Sequence, residues 1–448
     1  MKYEEFKKLV IAAAEKYGLA DYELYYSSAE SVSVDTFRRE INEFSSSTEG
    51  GVCFRTLKGG QMGYASTEDL SPEEAEAIVL RAAENAGVLE SAEQSFLGEA
   101  GGEYQKTDIE IPELPATEEL VKFALSGQDI AYAADPLVTD GTSTNLINMS
   151  EKTAIFNSRG LDLSCENAAT VLVVSAVVSD GKEMNNDFTV KIGVPDADTL
   201  KETVEKAVRG AKAKLGADVA PTGSYPVIFA PKAVASLLGT FASAFSAEAA
   251  QKGLSLLAGK EGQTIASEIV HLTDDPFWPE NLMQRPFDAE GMPAFRKDLI
   301  AGGELKTLLY NLKTAAVAGV KTTGNASKYG YAGSVGISPF TLVLEPGEIT
   351  EEELLKKTGY AVYIDSLQGT HAGANPISGD FSLQSGGFMV RDGVKAEAVK
   401  SFTVAGNFFE LLKHIEALSD KTEFISMGGR NGYAVPAVLV SGLSIAGK

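Results

Sequence analysis

Three histidines, His271, His371 and His414, are the whole supply of imidazole, and no two stand one helical turn apart. A hydrolytic zinc site takes about three nitrogen, sulfur or carboxylate ligands on a rigid frame, often including two histidines a turn apart. The chain has no such pair. Glu268 and His271, followed by Asp274 and Asp275, could hold a cation at a loop mouth. Pro276, Trp278 and Pro279 mark that segment as turn-rich, so a solvated acidic loop is the better reading. His414 falls in a helical pattern over 408–418, beside Lys413 and Glu416, and reads as a surface or half-buried helix residue.

His371 opens a different kind of stretch, Gly369-Thr370-His371-Ala372-Gly373-Ala374-Asn375-Pro376-Ile377-Ser378-Gly379-Asp380-Phe381-Ser382. So many Gly, Asn and Ser residues can bring backbone amides close to a ligand or a partner strand, and a tight structural loop explains them equally well. His371, Asn375, Gly379, Asp380 and Phe381 are the candidate contacts to a substrate or partner. Other chemistry lacks its signature. No G-x-G-x-x-G follows a strand, no Gly-rich loop ends in Gly-Lys-Ser/Thr, and no G-x-S-x-G elbow occurs.

Several patterns indicate the elements that must position these residues. Phe6, Leu9, Val10, Ala13, Ala14 and Tyr17 recur at helical spacing before Gly18. Alternating stretches follow at 22–28, 31–37, 51–57 and 61–66, the last two joined by Lys58-Gly59-Gly60 as a hairpin. Ser71-Pro72-Glu73-Glu74 is a capping box opening a helix that ends at Gly87. Residues 88–116 are Gly- and Glu-rich and contain Pro112 and Pro115, which places a boundary there. A helix over 117–132, strands over 170–178 and 184–190 and a helix carrying Leu200, Val204, Ala207, Val208 and Ala211 come next. Residues 51–87 and 170–216 share the order strand, Gly turn, strand, capped helix, as an internal duplication would.

A strand over 226–230 then leads through Pro231 into a small-residue helix over 233–250. From Gly253 onward hairpin turns separate short apolar runs, and helical periodicity returns only at 408–418. The expected fold is α+β: an N-terminal domain over 1–110, a second, repeat-like α+β region over 117–225, and a mostly antiparallel β-rich domain over 226–448.

The length, 448 residues and 47.3 kDa, calls for more than one core. Lys plus Arg total 39 against 62 Asp plus Glu, a net charge of −23 with a pI near 4.7. Such a surface repels phosphate backbones and anionic lipid heads, so neither nucleic acid nor a membrane is an expected partner. The amino terminus lacks the basic-then-apolar order of a signal peptide and no apolar run could cross a bilayer, so a cytoplasmic location is expected. Cys53 and Cys165 stand alone in strand-like stretches and read as buried small hydrophobes.

Several phrases, taken in order across nearly the whole chain, resemble the TldD/PmbA family, often labelled modulators of DNA gyrase and related to a two-subunit zinc metallopeptidase. They are Asn42-Glu43-Phe44 with Gly50-Gly51-Val52, Pro226-Val227-Ile228-Phe229-Ala230-Pro231, Pro286-Phe287-Asp288-Ala289-Glu290-Gly291 and Gly324-Asn325-Ala326. Ser378-Gly379-Asp380-Phe381-Ser382 with Gly386-Gly387-Phe388, and Leu443-Ser444-Ile445-Ala446-Gly447-Lys448, complete the set. In the catalytic TldD branch, the helix after the strand that 227–230 resembles carries H-E-x-x-x-H, and a cysteine near the carboxyl end adds a ligand. The resemblance puts Gly239, Thr240 and Ala244 at those helix positions and Met427 near the cysteine's place. None of the three small helix side chains suits zinc, and Thr240 cannot serve as the base that polarises a bound water.

The departure resembles the PmbA branch, also called TldE. It implies a non-catalytic subunit that binds no metal itself, pairs in an oligomer with a TldD-like zinc peptidase subunit, and helps admit unfolded peptide substrates. The alternative is a homo-oligomeric peptide-binding or regulatory protein without peptidase activity. A β-rich domain with Gly-lined loops can present the sheet edge on which extended peptides are commonly held.

Overall fold

In the computed structural model, which describes residues 1–88, 96–107, 110–426 and 431–448, the first helix, α1 (Tyr3–Lys16), buries Phe6, Val10, Ala13 and Ala14. Three antiparallel strands follow, β1 (Asp21–Phe37), β2 (Glu40–Lys58) and β3 (Gln61–Thr67), and then α2 (Pro72–Val88). The same order returns in α3 (Thr117–Ala134), β4 (Ser143–Asn157), β5 (Asp162–Ser179), β6 (Met184–Ile192) and α4 (Ala197–Ala213). All six strands form one sheet, β3-β2-β1-β4-β5-β6, so each copy runs outward from the central β1–β4 pair. The duplication read over 51–87 and 170–216 thus extends to a whole α-β-β-β-α unit. The stretches 22–28 and 31–37 are one strand, because β2 and β4 pair with β1 continuously through Ala29 and Glu30.

The two faces of this sheet do different work. Tyr22, Leu24 and Phe54 pack under α1 and α2, and Val34, Leu146, Leu172 and Val174 share a core with residues of α3 and α4. Tyr25, Cys53 and Ile155 point the other way and pack on Phe287, Ala289 and Ala326 of the carboxyl-terminal half.

That half begins with β7 (Asp218–Val219), β8 (Gly223–Phe229) and α5 (Pro231–Phe241), which has Pro at its first position, where no amide partner is needed. The strand Val438–Ala446 pairs with both β8 and Val394–Asn407. Through Tyr360–Gln368 and Asp380–Arg391, five strands thereby close into a ring. A second sheet, built on Leu272–Asp274 and Thr341–Leu344, contributes Leu272, Leu299, Ile300 and Leu342 to the same core. The apolar side of α5, Ala233, Val234, Leu237, Leu238 and Phe241, is buried in that core.

Two expected helices are shorter than their patterns. The one read over 233–250 stops at Phe241, tightens into a 3₁₀ turn over Ala242–Phe245 and restarts as α6 (Ala247–Gln251). Leu309 takes both backbone bonds there: its amide donates to Phe245 O at 2.8 Å, and its carbonyl accepts from Ala247 N at 2.9 Å. The Ser246 hydroxyl then caps α6. The one read over 408–418 ends at Lys413, because Ile415–Leu418 joins the ladder of Val438–Ala446. Two further helices, Leu312–Ala318 and Glu351–Thr358, interrupt the β-rich half.

Charged side chains are buried within the carboxyl-terminal half and where it meets the first sheet. Asp274, expected in a solvated loop, is fully buried. It accepts from Lys297 Nζ at 3.0 Å, Asn325 Nδ2 at 2.7 Å and the Phe340 amide at 2.7 Å. Asp275 is buried too, while Glu268 and His271 are exposed, so the acidic run is divided between core and surface. Asp288 accepts from the amides of Glu290, Met292 and Ala326, each at 2.9 Å. Glu290 accepts from the Leu312 amide at 2.8 Å and faces the buried Arg55, whose Nε donates to Glu23 Oε1 at 2.6 Å.

Burial first, and the Asp288 carboxylate second, push the Glu290 carboxyl above its ordinary value of 4.5. A raised folded-state value means that the folded chain holds the proton after the unfolded chain has lost it, so this contribution to stability is whole below pH 4.5 and declines as pH rises. Glu290→Gln keeps an oxygen for the Leu312 amide and cannot ionise. From pH 4.5 upward the wild-type chain should lose up to about 1.4 kcal/mol per pH unit relative to Glu290→Gln, until its own carboxyl ionises. Denaturant unfolding of both proteins across pH 4.5–8.5 checks this; parallel stability curves contradict it.

Candidate functional site

A cleft of about 1180 Å³ lies between the first sheet and the closed ring. One wall is the sheet face left free of helices, where Ile147 and Met149 of β4 stand beside Ala169, Val171 and Val173 of β5. The other wall comes from Tyr360–Gln368, Asp380–Arg391 and the start of α5. Every residue from Asn185 to Gly193 lines the cleft. A strand seen face-on would show alternate residues, so it is the edge of β6 that lies there. Among the described residues β6 pairs with β5 alone, which leaves backbone donors and acceptors along that edge.

Charge gathers where the walls approach. Asp187 of β6 lies 3.1 Å from Lys214 Nζ, at the end of α4, and 3.7 Å from Lys232 Nζ on α5. The Lys232 ammonium also stands 3.1 Å from the Phe188 ring centroid, and burial pushes its pKa down. A lysine at the second position of a helix opposes the helix dipole, so its place is set by these contacts across the cleft. Asp365 is the unpaired residue of a bulge in Tyr360–Gln368, opposite Gly386 and Gly387. Its Oδ2 lies 3.9 Å from Lys214 Nζ, and burial raises its pKa. The bulge needs glycine opposite, since a Cβ on Gly387 would stand 1.9 Å from the Tyr363 carbonyl oxygen.

The residues singled out from sequence lie apart from this cleft. His371 is exposed in a single helical turn, Thr370–Gly373. Asn375, Gly379 and Asp380 come together in a turn. Asn375 Oδ1 accepts from the Ile377 amide at 3.0 Å, and Asp380 accepts from Ser378 Oγ at 2.8 Å and Asn407 Nδ2 at 2.9 Å. The Asn407 and Ser378 bonds hold the Asp380 carboxyl below its usual range. Gly379, at φ +83°, leaves room for the Phe409 ring, and Phe381 enters the core edge-on to Phe241 at 6.3 Å. Of the family phrase only its end, Gly386-Gly387, reaches the cleft.

On α5, the Thr240 hydroxyl donates to the Ser236 carbonyl at 2.7 Å, Gly239 is half-buried and Ala244 is buried in the 3₁₀ turn. Met427 lies outside the described residues. Cys53 is buried as expected, whereas Cys165 is half-buried, with burial raising the pKa of its thiol. Sequence reading missed Asp187, Lys232 and Asp365, and for Lys232 the unfavourable helix position was a signal. No helix among the described residues is long and apolar enough to cross a membrane.

Four ion pairs join α4 and the β5–β6 hairpin to the carboxyl-terminal half: Lys206 with Glu423, Lys214 with Asp365, Lys232 with Asp187, and Lys400 with Glu183. Partly exposed pairs contribute up to about 1 kcal/mol each and weaken as salt screens them. Raising NaCl from 50 mM to 1 M should therefore speed amide hydrogen exchange several-fold in α4 and β6 while leaving the β1–β4 pair unchanged. Equal protection of α4 and β6 at both salts contradicts this.

Three family models cover the chain. They are the PmbA/TldA metallopeptidase domain 1 over residues 22–86, the central domain over 110–215 and the C-terminal domain over 222–447. A solved structure named as a modulator of a DNA gyrase, from Thermotoga maritima, is 31% identical with a TM-score of 0.89, over 99% of this chain and 100% of that one. TldE from Thermococcus kodakarensis is 24% identical with a TM-score of 0.85, over 98% and 99%. The metalloprotease PmbA of Escherichia coli O157:H7 is 24% identical over 95% of this chain and 92% of its own. With its carboxyl-terminal model alone spanning half the sequence, and the other two in order before it, the chain belongs to the PmbA/TldD metallopeptidase family.

Proposed function

We propose that this chain is the non-catalytic, TldE/PmbA-like subunit of a heteromeric zinc metallopeptidase, in which a TldD-like partner supplies zinc and the complex cleaves unfolded peptides. The observation that carries this reading is the state of α5. Gly239 has no side chain, Ala244 offers a methyl group, and the one hydroxyl, on Thr240, is engaged by the carbonyl one turn back. This donor set does not fit zinc, which binds thiolate, imidazole or carboxylate. The buried side of the helix supports a structural role, as a strut between the ring and the second sheet.

The cleft supports polypeptide as the ligand. The exposed backbone edge of β6 offers main-chain hydrogen bonds to an extended segment, and the apolar row on β4 and β5 offers side-chain contact without demanding a sequence. A folded protein has few unpaired strands to give, so such an edge favours unfolded chains. An effect on DNA gyrase would then be indirect, through protein turnover, since a charge of −23 gives DNA no foothold.

The test is to purify the chain alone and together with a relative that retains H-E-x-x-x-H, and to measure zinc content and peptide hydrolysis. The chain alone should hold well under one zinc per molecule and hydrolyse nothing, while the pair hydrolyses unfolded peptides. Stoichiometric zinc with robust hydrolysis by this chain alone overturns the reading.

A further inference from the structure

Acid does not prevail in the cleft. Over the whole chain 62 Asp and Glu outnumber 39 Lys and Arg, whereas the described residues lining the cleft include six lysines and five carboxylates. Most of those lysines already have a partner: Lys206 pairs with Glu423, Lys214 with Asp187, Lys395 with Glu351 and Lys400 with Glu183. Lys191, near the end of β6, is exposed, and an ammonium in water gains little from one more ion pair. Lys232 is different, because no carboxylate is its own. The nearest, Asp187 Oδ1, lies 3.7 Å away and is held by Lys214 at 3.1 Å. The other oxygen of Asp187 is turned to α4, where a Cβ on Gly210 would stand 1.9 Å from it. Among the described residues the Lys232 ammonium donates only to the Phe188 carbonyl, at 3.4 Å.

Lys232 is also the charge that a ligand can reach. Its side chain is 32% exposed, against 18% for Lys214 and 23% for Asp187 and Asp365, and Asp365 Oδ1 is sealed from solvent. An ammonium carries three donors, and this one has engaged a single carbonyl at the long end of hydrogen-bond range. Burial, and after it the Lys214 charge, disfavour its protonated form. A carboxylate arriving at close range relieves both.

The geometry points to Lys232 as the anchor for a carboxylate carried by the bound peptide, either an acidic side chain or the peptide's own carboxyl terminus. Resting on the reading of the cleft as a polypeptide site, the anchor decides which polypeptides that site favours. Asp187 and Phe188, against which Lys232 stands, lie in the middle of β6, so a segment paired along that edge passes within reach of the ammonium in either direction. The apolar row on β4 and β5 accepts a peptide at any register, and one fixed cation among it selects a register.

The test is fluorescence anisotropy of the full chain with three labelled, unfolded peptides of about eight residues, long enough to pair along β6. They share one sequence apart from a central position and the terminus. The first has Glu and an amidated terminus, the second Gln and an amidated terminus, and the third Gln and a free terminal carboxylate. At low salt the Glu peptide, the free-acid peptide or both should bind about fivefold tighter than the neutral one, and the stronger arm identifies the source of the carboxylate. Lys232→Met should abolish that ratio and Lys232→Arg should keep it. Lys58→Met removes the same charge beside β3, at the opposite edge of the sheet from β6, and should also keep it. In the wild-type chain a bound acidic peptide should slow reductive methylation of Lys232, read by mass spectrometry, a measurement that needs no variant to fold. Equal affinities for the three peptides overturn the inference, as does a preference that survives Lys232→Met, or methylation that the acidic peptide leaves unchanged. If none of the three binds, the reading of the cleft as a polypeptide site falls and takes the anchor with it.

Discussion

The joint between the two halves of the molecule depends on the side chain of Asp288. Three backbone amides converge on it, two from its own loop and one from Ala326, so a single buried side chain fixes the loop over 286–292 against another segment. Phe287 and Ala289 are thereby presented to Tyr25, Cys53 and Ile155, and Glu290 to Arg55. This apolar and charged joint is buried, while the far side of the cleft is closed by ion pairs that remain partly wet. One margin is held by contacts indifferent to salt and the other by contacts that salt loosens.

Much of the architecture was legible because the local signals agree. The Ser71 cap, whose hydroxyl accepts from the Glu74 amide while its own amide turns to Asp69, the Gly59-Gly60 hairpin and the strand run over 170–178 each indicate one conformation, and the repeated order of elements follows from them. The helix over 233–250 was over-read, because small residues are neutral about where a helix ends and Leu309, far away in sequence, decides it. Thr350 and Glu353 form a capping box that announced the helix over 351–358, a signal available and unused.

The candidate site was less legible, for a physical reason. Asp187, Lys232 and Asp365 come from three separate elements and acquire meaning only when the two halves meet. The Gly-, Asn- and Ser-rich loop around Asn375 drew the eye because its composition is conspicuous, yet its polar groups mostly satisfy one another in a turn. Asp274 and Asp275 drew it as an acidic run, and tertiary partners at Lys297 and Asn325 took the first of them into the core. A helix was expected from 233 onward and starts at Pro231, but it ends at Phe241, so Gly239 and Thr240 lie on it while Ala244 falls in the 3₁₀ turn that follows.

The closed ring has a consequence for how the molecule is made. Val438–Ala446 must find β8, translated long before it, and Val394–Asn407 at the same time. During synthesis the amino-terminal sheet can assemble from near neighbours while α5 and its Phe241 wait with an incomplete wall. A nascent chain stalled in this interval would carry a sticky, half-built barrel, and a chaperone that shelters it would matter more for this half than for the first.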